Sequence, residues 1–277
     1  MIVFPNCKIN LGLNILRKRS DGYHDLETIF CPLPLTDVLE IIEHKQGERT
    51  LPIHFSSSGL QVLGDTSSNI CVKAYRLLKK RFPLLPSIQI HLHKMIPSGA
   101  GLGGGSADAA FTLLELNRQF KLGLSQEALL ADAAELGSDC PFFIINKPCF
   151  ASGTGNQLEE IQLDLSGYKF LVVNPGIHIE TGRAFLQIKP AVSERSIREI
   201  IKSPMERWKD ELKNDFENVI FKTHRPIVDI KDELYRQGAI YASMSGSGST
   251  VYGIFHKDKQ LPFSFPDNYF VKELICK

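Results

Sequence analysis

At 277 residues the chain is long for one core and sufficient for two domains. Hydrophobic content of 43% and charged content of 23% are those of an ordinary globular protein, and a net charge of +1 argues against a dedicated nucleic-acid binder. No apolar run approaches the roughly 20 residues of a membrane helix, so neither nucleic acid nor membrane is an expected partner. Cysteines at 7, 31, 71, 140, 149 and 276 form no C-x-x-C pair and no zinc spacing. With no signal-peptide pattern at Met1–Lys8, reduced thiols and a cytoplasmic location are expected.

Ile2 to Asn14 alternates as a strand, with Cys7, Ile9, Leu11 and Leu13 on one face and Lys8, Asn10 and Gly12 on the other. Lys8 and Asn10 therefore point the same way; such a lysine is either wet surface or a point charge for phosphate. Arg17–Gly22 reads as a hairpin turn, followed by Tyr23-His24 and a second alternating run through Leu26, Ile29 and Phe30. Val38–Glu43 and Leu51–Ser56 are further strands. Asn69–Phe82 is a helix with Ser67, Ser68 or Asn69 as its cap, ended by Pro83 and Pro86. Ser87–Ile96 alternates again, with His91 and His93 outward; they resemble a metal pair but lack a third ligand nearby.

Pro97–Ala110 (Pro-Ser-Gly-Ala-Gly-Leu-Gly-Gly-Gly-Ser-Ala-Asp-Ala-Ala) then places a glycine tract between a strand and a helix starting near Ser106. Glycine permits positive φ and close approach of a ligand, and a helix N-terminus aims unpaired N–H groups at an anion. A phosphate chain suits such a loop. Gly99-Ala-Gly-Leu-Gly-Gly104 matches G-x-G-x-x-G, but no second strand with an acidic residue follows. The Walker pattern also fails, because Gly105-Ser106 stands where Lys-Ser/Thr is needed. Asp108 complements the helix dipole. A second helix, Ser125–Leu136, leads to Gly137-Ser-Asp-Cys-Pro-Phe-Phe143, where Asp139 lies between a glycine-ended helix and an apolar strand. That carboxylate is either a turn cap or a working group.

Phe150–Ile161 forms a strand turn around Gly153 and Gly155, and Tyr168–Asn174 is an apolar strand. The domain boundary falls between 155 and 165, giving domains 1–160 and 161–277. Thr181–Gln187, Ser193–Leu212, Asp215–Thr223 and Ile227–Gln237 read as helical; Ala239–Met244 and Thr250–Phe255 are strands joined by Ser245-Gly-Ser-Gly-Ser249, and Tyr269–Cys276 is a last strand. The second glycine tract is either a plain hairpin or part of a site shared with the first.

Lys8-Ile-Asn10-Leu, the Pro97–Ala110 loop and Ser243-Met-Ser-Gly-Ser-Gly-Ser249, in that order, resemble the GHMP kinases. Asp21-Gly-Tyr-His24, the triple glycine before Ser106 and Gly137–Phe143 resemble the members that act on a cytidine diphosphate sugar alcohol. The resemblance spans essentially the whole chain. It implies an α+β fold of two domains, an N-terminal mixed-sheet domain with the phosphate loop and a C-terminal ferredoxin-like domain. It further implies transfer of the ATP γ-phosphate to an alcohol in the non-mevalonate isoprenoid pathway. Asp139 falls at the family's general base and Lys8 at its partnering lysine. Pro97, Ser98, Gly99, Ala100, Gly101, Leu102, Gly103, Gly104, Gly105, Ser106 and Ala107 fall at the ATP loop, with Asn69 and Lys94 on the adenine side. Asn10, Tyr23, His24, Phe30, Thr181 and Phe185 fall at substrate positions. Ala107 replaces a serine often found there, and glycine stands where mevalonate kinase has a magnesium-ligating serine. Accordingly no residue is assigned to a metal, and Mg2+ is expected to be held by phosphates and water. A monomer or weak homodimer is expected. The alternatives are a homoserine- or mevalonate-type GHMP kinase, or a non-catalytic nucleotide sensor on the same fold; an NAD dehydrogenase rests on G-x-G-x-x-G alone.

Overall fold

The computed structural model describes residues 1–44, 52–62, 64–261 and 264–276. In chain order the strands are β1 (Ile2–Val3), β2 (Asn6–Lys18), β3 (His24–Thr36), β4 (Val38–Glu43), β5 (Ile53–Gly59), β6 (Ile88–Lys94), β7 (Cys149–Ser152), β8 (Gln157–Glu160), β9 (Tyr168–Asn174), β10 (Tyr241–Met244), β11 (Val251–His256) and β12 (Phe270–Ile275). The helices are α1 (Ile70–Arg81), α2 (Gly104–Gln119), α3 (Gln126–Leu136), α4 (Cys140–Ile145), α5 (Thr181–Gln187), α6 (Ile197–Ile200), α7 (Trp208–Glu211), α8 (Glu217–Ile220) and α9 (Arg225–Arg236). These fold into two compact units that interleave along the chain: Met1–Cys7, Leu35–Ser98 and Gly103–Asn146 in the first, Lys8–Pro34, Gly99–Leu102 and Lys147–Lys277 in the second.

The first unit is built on a mixed sheet of order β1-β4-β6-β5, in which β5 runs parallel to β6 and the other pairs are antiparallel. Ile41 opposite Ile90 and Ile53 opposite Ile88 keep apolar side chains in register. α1 packs on α2 and β5, and α2 on β4. Asn69 caps α1, its Oδ1 accepting the Cys71 N–H at 2.9 Å, and Ser125 caps α3 through the Ala128 N–H at 3.3 Å. The small residues Ala107, Ala109 and Ala110 at the start of α2 are fully buried, so this helix begins in close contact with its neighbours.

The second unit holds two four-stranded sheets, β2-β3-β7-β8 and β10-β11-β9-β12. The latter is wholly antiparallel. Numbering its strands by their own order gives 2-3-1-4, the ferredoxin-like arrangement, although the described residues between β11 and β12 carry no helix. Leu13 and Ile15 from β2 join Leu171 and Val173 from β9, Phe216, and Ile227, Ile230 and Leu234 from α9 in one core. Thus the N-terminal strand is part of the same packing unit as the C-terminal sheet.

Several elements differ from expectation for physical reasons. Ile2–Asn14 is not one strand: Phe4 and Pro5 separate β1 from β2, and proline has no N–H for the ladder. Both faces of β2 are buried, with Lys8 3% and Asn10 2% exposed, so their face is not a wet one. Pro-Phe-Phe-Ile-Ile after Asp139 is helix α4, not a strand; Pro141 is tolerated in its first turn, and a short apolar run does not itself distinguish the two. Ser193–Leu212 breaks at Pro204 into α6, a 3-10 turn at Met205–Arg207, and α7. α2 starts at Gly104, two residues early, placing Asp108 beyond its first turn. Leu51, expected to begin β5, lies outside the described residues. No helix among the described residues is long and apolar enough to cross a membrane, and none of the six cysteines forms a disulfide.

Candidate active site

Between Ile96 and α2 the backbone turns repeatedly. Gly99, Gly101 and Gly103 adopt φ of +67°, +84° and +69°, alternating with ordinary residues. Such alternation turns successive N–H groups toward one side and forms an anion-binding concavity. Gly103 is the α2 N-cap and provides no side-chain cap, so the first N–H groups of α2 have no capping side chain. Ala107, where a serine was the family expectation, is fully buried, and its N–H closes onto Gly103 O at 2.9 Å.

Within the second unit, three distant segments meet. The Lys8 ammonium donates to Asn10 Oδ1 at 2.7 Å and stands 4.7 Å above the centre of the Phe30 ring. Asn10 Nδ2 donates to Thr28 Oγ1 at 3.0 Å, and Tyr252 Oη donates to Asn10 O at 2.7 Å. The Lys8 N–H donates to Leu102 O at 2.9 Å, joining β2 to the glycine loop. Ser245 Oγ accepts the Asn10 N–H at 3.3 Å and donates to Gly101 O at 2.7 Å. A Cβ on Gly101 would stand 2.0 Å from Ser245 O, and one on Gly248 would stand 2.2 Å from the Ala100 carbonyl carbon. Here the two glycine tracts touch backbone to backbone, and no side chain fits between them.

The expected acceptor residues also gather in this unit. His24 stacks on Phe185 with centroids 5.1 Å apart and planes 23° apart, and Phe185 meets Phe216 edge-on at 4.9 Å. Tyr23 is 67% exposed beside them in sequence, whereas Phe30 is buried beneath Lys8 and offers its ring to the ammonium. Thr181 Oγ1 pairs with Ser247 Oγ at 2.9 Å, tying the start of α5 to the second glycine tract.

Asn69, Lys94 and Asp139 belong to the first unit. Asn69 is committed to capping α1. Lys94 is 3% exposed, its ammonium held by Asp37 at 2.5 Å and Asp108 at 2.7 Å. Burial acts to lower the Lys94 pKa, but the two carboxylates outweigh it and hold the ammonium above its usual range. Burial pushes Asp108 up to about 7, against the pull of Lys94. Asp139 occupies the N-cap position of α4 without making a side-chain cap to that helix. The Ser58 hydroxyl bridges His91 and His93 at 2.9 Å, Ser56 Oγ pairs with His91 at 2.9 Å, and no group of three or more His, Cys, Asp or Glu able to hold a metal occurs among the described residues.

Some functional neighbours had no sequence signal. Thr28 and Tyr252 fix Asn10, and Asn214 donates to Met244 O at 3.0 Å and Gly246 O at 2.9 Å, shaping the second glycine tract. Asp37 lies between two strands with no motif around it. Ser245 was visible as part of the tract, but its bond to Gly101 was not.

Comparison with known proteins gives these arrangements a family. The model of the GHMP kinases N terminal domain matches residues 69–147, and that of the GHMP kinases C terminal matches 191–262. A Bacteroides thetaiotaomicron protein, 4-diphosphocytidyl-2-C-methyl-D-erythritol kinase, is 53% identical over 95% of this chain and 94% of its own length. One of the same name from Cytophaga hutchinsonii is 47% identical over 97% and 96%. A crystal structure of 4-(cytidine 5'-diphospho)-2C-methyl-D-erythritol kinase superposes with a TM-score of 0.81 at 26% identity, covering 100% of both chains. Methanococcus jannaschii mevalonate kinase shares the fold alone, with a TM-score of 0.69 at 15% identity over 100% of this chain and 98% of that one. The chain therefore belongs to the GHMP kinases, in one family with these 4-diphosphocytidyl-2-C-methyl-D-erythritol kinases.

Proposed function

We propose that this chain is an ATP-dependent kinase that phosphorylates the 2-hydroxyl of 4-diphosphocytidyl-2-C-methyl-D-erythritol in the non-mevalonate isoprenoid pathway. What carries the reading is identity of about half, over nearly the entire chain, to relatives of that name. The Lys8–Asn10 pair and the left-handed glycine loop support it.

Phosphoryl transfer needs positioning and charge neutralisation more than covalent chemistry. The loop Pro97–Ala107 holds the ATP phosphates by backbone donors and the positive end of α2. Asn69 stands on the adenine side, whereas the Lys94 ammonium is engaged by Asp37 and Asp108. Asp139 accepts the hydroxyl proton of the acceptor. Lys8, steered by Asn10 and the Phe30 face, is the cation that partners the base and orients the hydroxyl. His24 and Phe185, with Tyr23, receive the pyrimidine, and Thr181 orients the phosphate-bearing part. Mg2+ arrives with ATP as its phosphate complex, and this chain's residues are given no part in holding it. Residues 1–160 and 161–277 correspond on this reading to the two family domains, in a cytoplasmic monomer or weak homodimer.

Purified protein with Mg-ATP should release ADP with the cytidyl sugar alcohol and not with homoserine or mevalonate. Asp139→Asn should lower kcat by about 10²–10⁴-fold. Turnover of homoserine or mevalonate would place the chain with a sister kinase, and nucleotide binding without any turnover would make it a sensor.

A further inference from the structure

Three buried ionisable groups beside the glycine loop take no direct part in the reaction above. Asp37 is 0%, Lys94 3% and Asp108 2% exposed. Asp37 Oδ1 accepts the N–H groups of Met95 at 2.6 Å and Ile96 at 2.9 Å, the two residues that lead into the loop, while its Oδ2 accepts from Lys94 Nζ at 2.5 Å. The same ammonium reaches Asp108 Oδ2 at 2.7 Å, on the helix that leaves the loop. One cation thus ties both ends together. Its head also fills the space beneath the first turn of α2: a Cβ on Gly104 would lie 3.1 Å from Lys94 Nζ and 2.8 Å from Ile96 Cγ2.

This arrangement is costly as pure scaffolding. Two acids face one base, and Asp108 Oδ1 is buried with no protein hydrogen-bond partner. Apolar side chains of similar volume often stabilise a core as well as a buried ion cluster does. What apolar packing does not reproduce is the directional hold on two consecutive backbone N–H groups and a helix at once.

We propose that Asp37, Lys94 and Asp108 are positioning residues that preset the two ends of the glycine loop, Pro97–Ser98 and Gly103–Ser106, for the ATP phosphates. Lys94 acts through the loop backbone, and its ammonium does not touch the nucleotide. The inference rests on the loop being the ATP site, as proposed above. A loop already held in its binding geometry loses less freedom when the phosphates arrive.

The test uses the full chain with Asp37→Asn and Asp108→Asn, reading Mg-ATP affinity by calorimetry, KM for ATP and for the acceptor separately, and melting temperature. Asp37→Asn turns an amide N–H2 or a single acceptor toward a site that needs a full carboxylate. It should raise the Kd and KM for ATP by about ten- to a hundredfold, with the acceptor KM within about twofold. Asp108→Asn keeps shape and one acceptor for Lys94; an ATP-only change of about fivefold is expected, with the melting temperature unchanged or higher. Folded variants whose ATP parameters stay at wild type, or whose ATP and acceptor parameters shift together, would overturn the proposal. If Asp37→Asn does not fold, Asp108→Asn decides by the same criterion. Absence of turnover by the unaltered protein counts against the kinase reading, while the calorimetric arm still decides the loop; failure of the unaltered protein to bind Mg-ATP overturns both.

Discussion

At Gly99 and Gly103 glycine supplies backbone freedom, whereas at Gly248 it supplies room for another backbone. The first tract turns through positive φ at three alternate positions, and a Cβ added at Gly105 would meet no atom within 4 Å. In the second, Gly246 also turns, with φ of +58°, but Gly248 has no positive φ, and a Cβ there would collide with Ala100 and Gly101 at 2.2–2.4 Å. Gly101 belongs to both descriptions, with φ of +84° and Ser245 O at 2.0 Å from its would-be Cβ. The contrast teaches that glycine richness has two physical causes, a backbone that must turn and a backbone that must come close. Here the second tract serves the first: it clamps the turn through Ser245 and is itself shaped by Asn214.

The contrast is open to direct attack. Gly248→Ala should be the most damaging change, because the collision is with backbone and not with a flexible side chain: a loss of about 3 kcal/mol or more, or about 6–12 °C in melting temperature. A melting temperature within about 2 °C of wild type would show that the tracts do not interlock. Gly105→Ala should behave oppositely. Its position in a helix should leave stability unchanged or about 0.5–1 kcal/mol higher, while the methyl group weakens ATP binding by about tenfold as measured by calorimetry. Unaltered ATP affinity would remove the phosphates from this side of the loop. Ser245→Ala removes the bond to Gly101 O and the acceptor for the Asn10 N–H, at a cost of about 1–2 kcal/mol in denaturant unfolding, and no cost would leave the clamp without a role. A last effect, read against pH, concerns the other side of the loop. Because burial holds Asp108 near 7 when folded against an ordinary value of 3.8, its favourable contribution is complete at acid pH and is lost as pH rises through about 7. The stability of Asp108→Asn relative to wild type should therefore increase between about pH 4 and about pH 7 and level off above that, and a flat difference would place the proton elsewhere.

Where local chemistry decides the fold, the amino-acid sequence was readable. Asn69 capping α1, Ser125 capping α3, and strands Val38–Glu43 and Tyr168–Asn174 all lie where pattern and cap residues place them. The glycine loop was legible as a turn before a helix for the same reason. What escaped was set by tertiary context. The apolar run at Cys140–Ile145 is buried, where strand and helix patterns coincide, and packing on α2 and α3 accompanies the helix. The partners of Lys94 lie 57 and 14 residues away, and nothing local to Asp37 or Asp108 announces a shared cation. The face of β2 carrying Lys8 and Asn10 reads as a solvent face by alternation and is covered on folding. Likewise, helices of one turn such as α6 and α7 carry too little periodicity to be separated from one long helix.

The Ser245 hydroxyl bonds to residue 10 across a separation of 235 positions and to residue 101 across 144. On the ribosome, the strand bearing Lys8 is made more than 200 residues before the serine that holds it. At about 5–20 residues per second the N-terminal strand waits some ten seconds or more for that partner. Until then β2, which the finished fold buries on both faces, lacks the β9–β12 sheet against which it packs. Shortening the chain before Ser249 would therefore disarm the front of the protein as surely as the back, and the interval before the tail emerges is when a chaperone has most to protect.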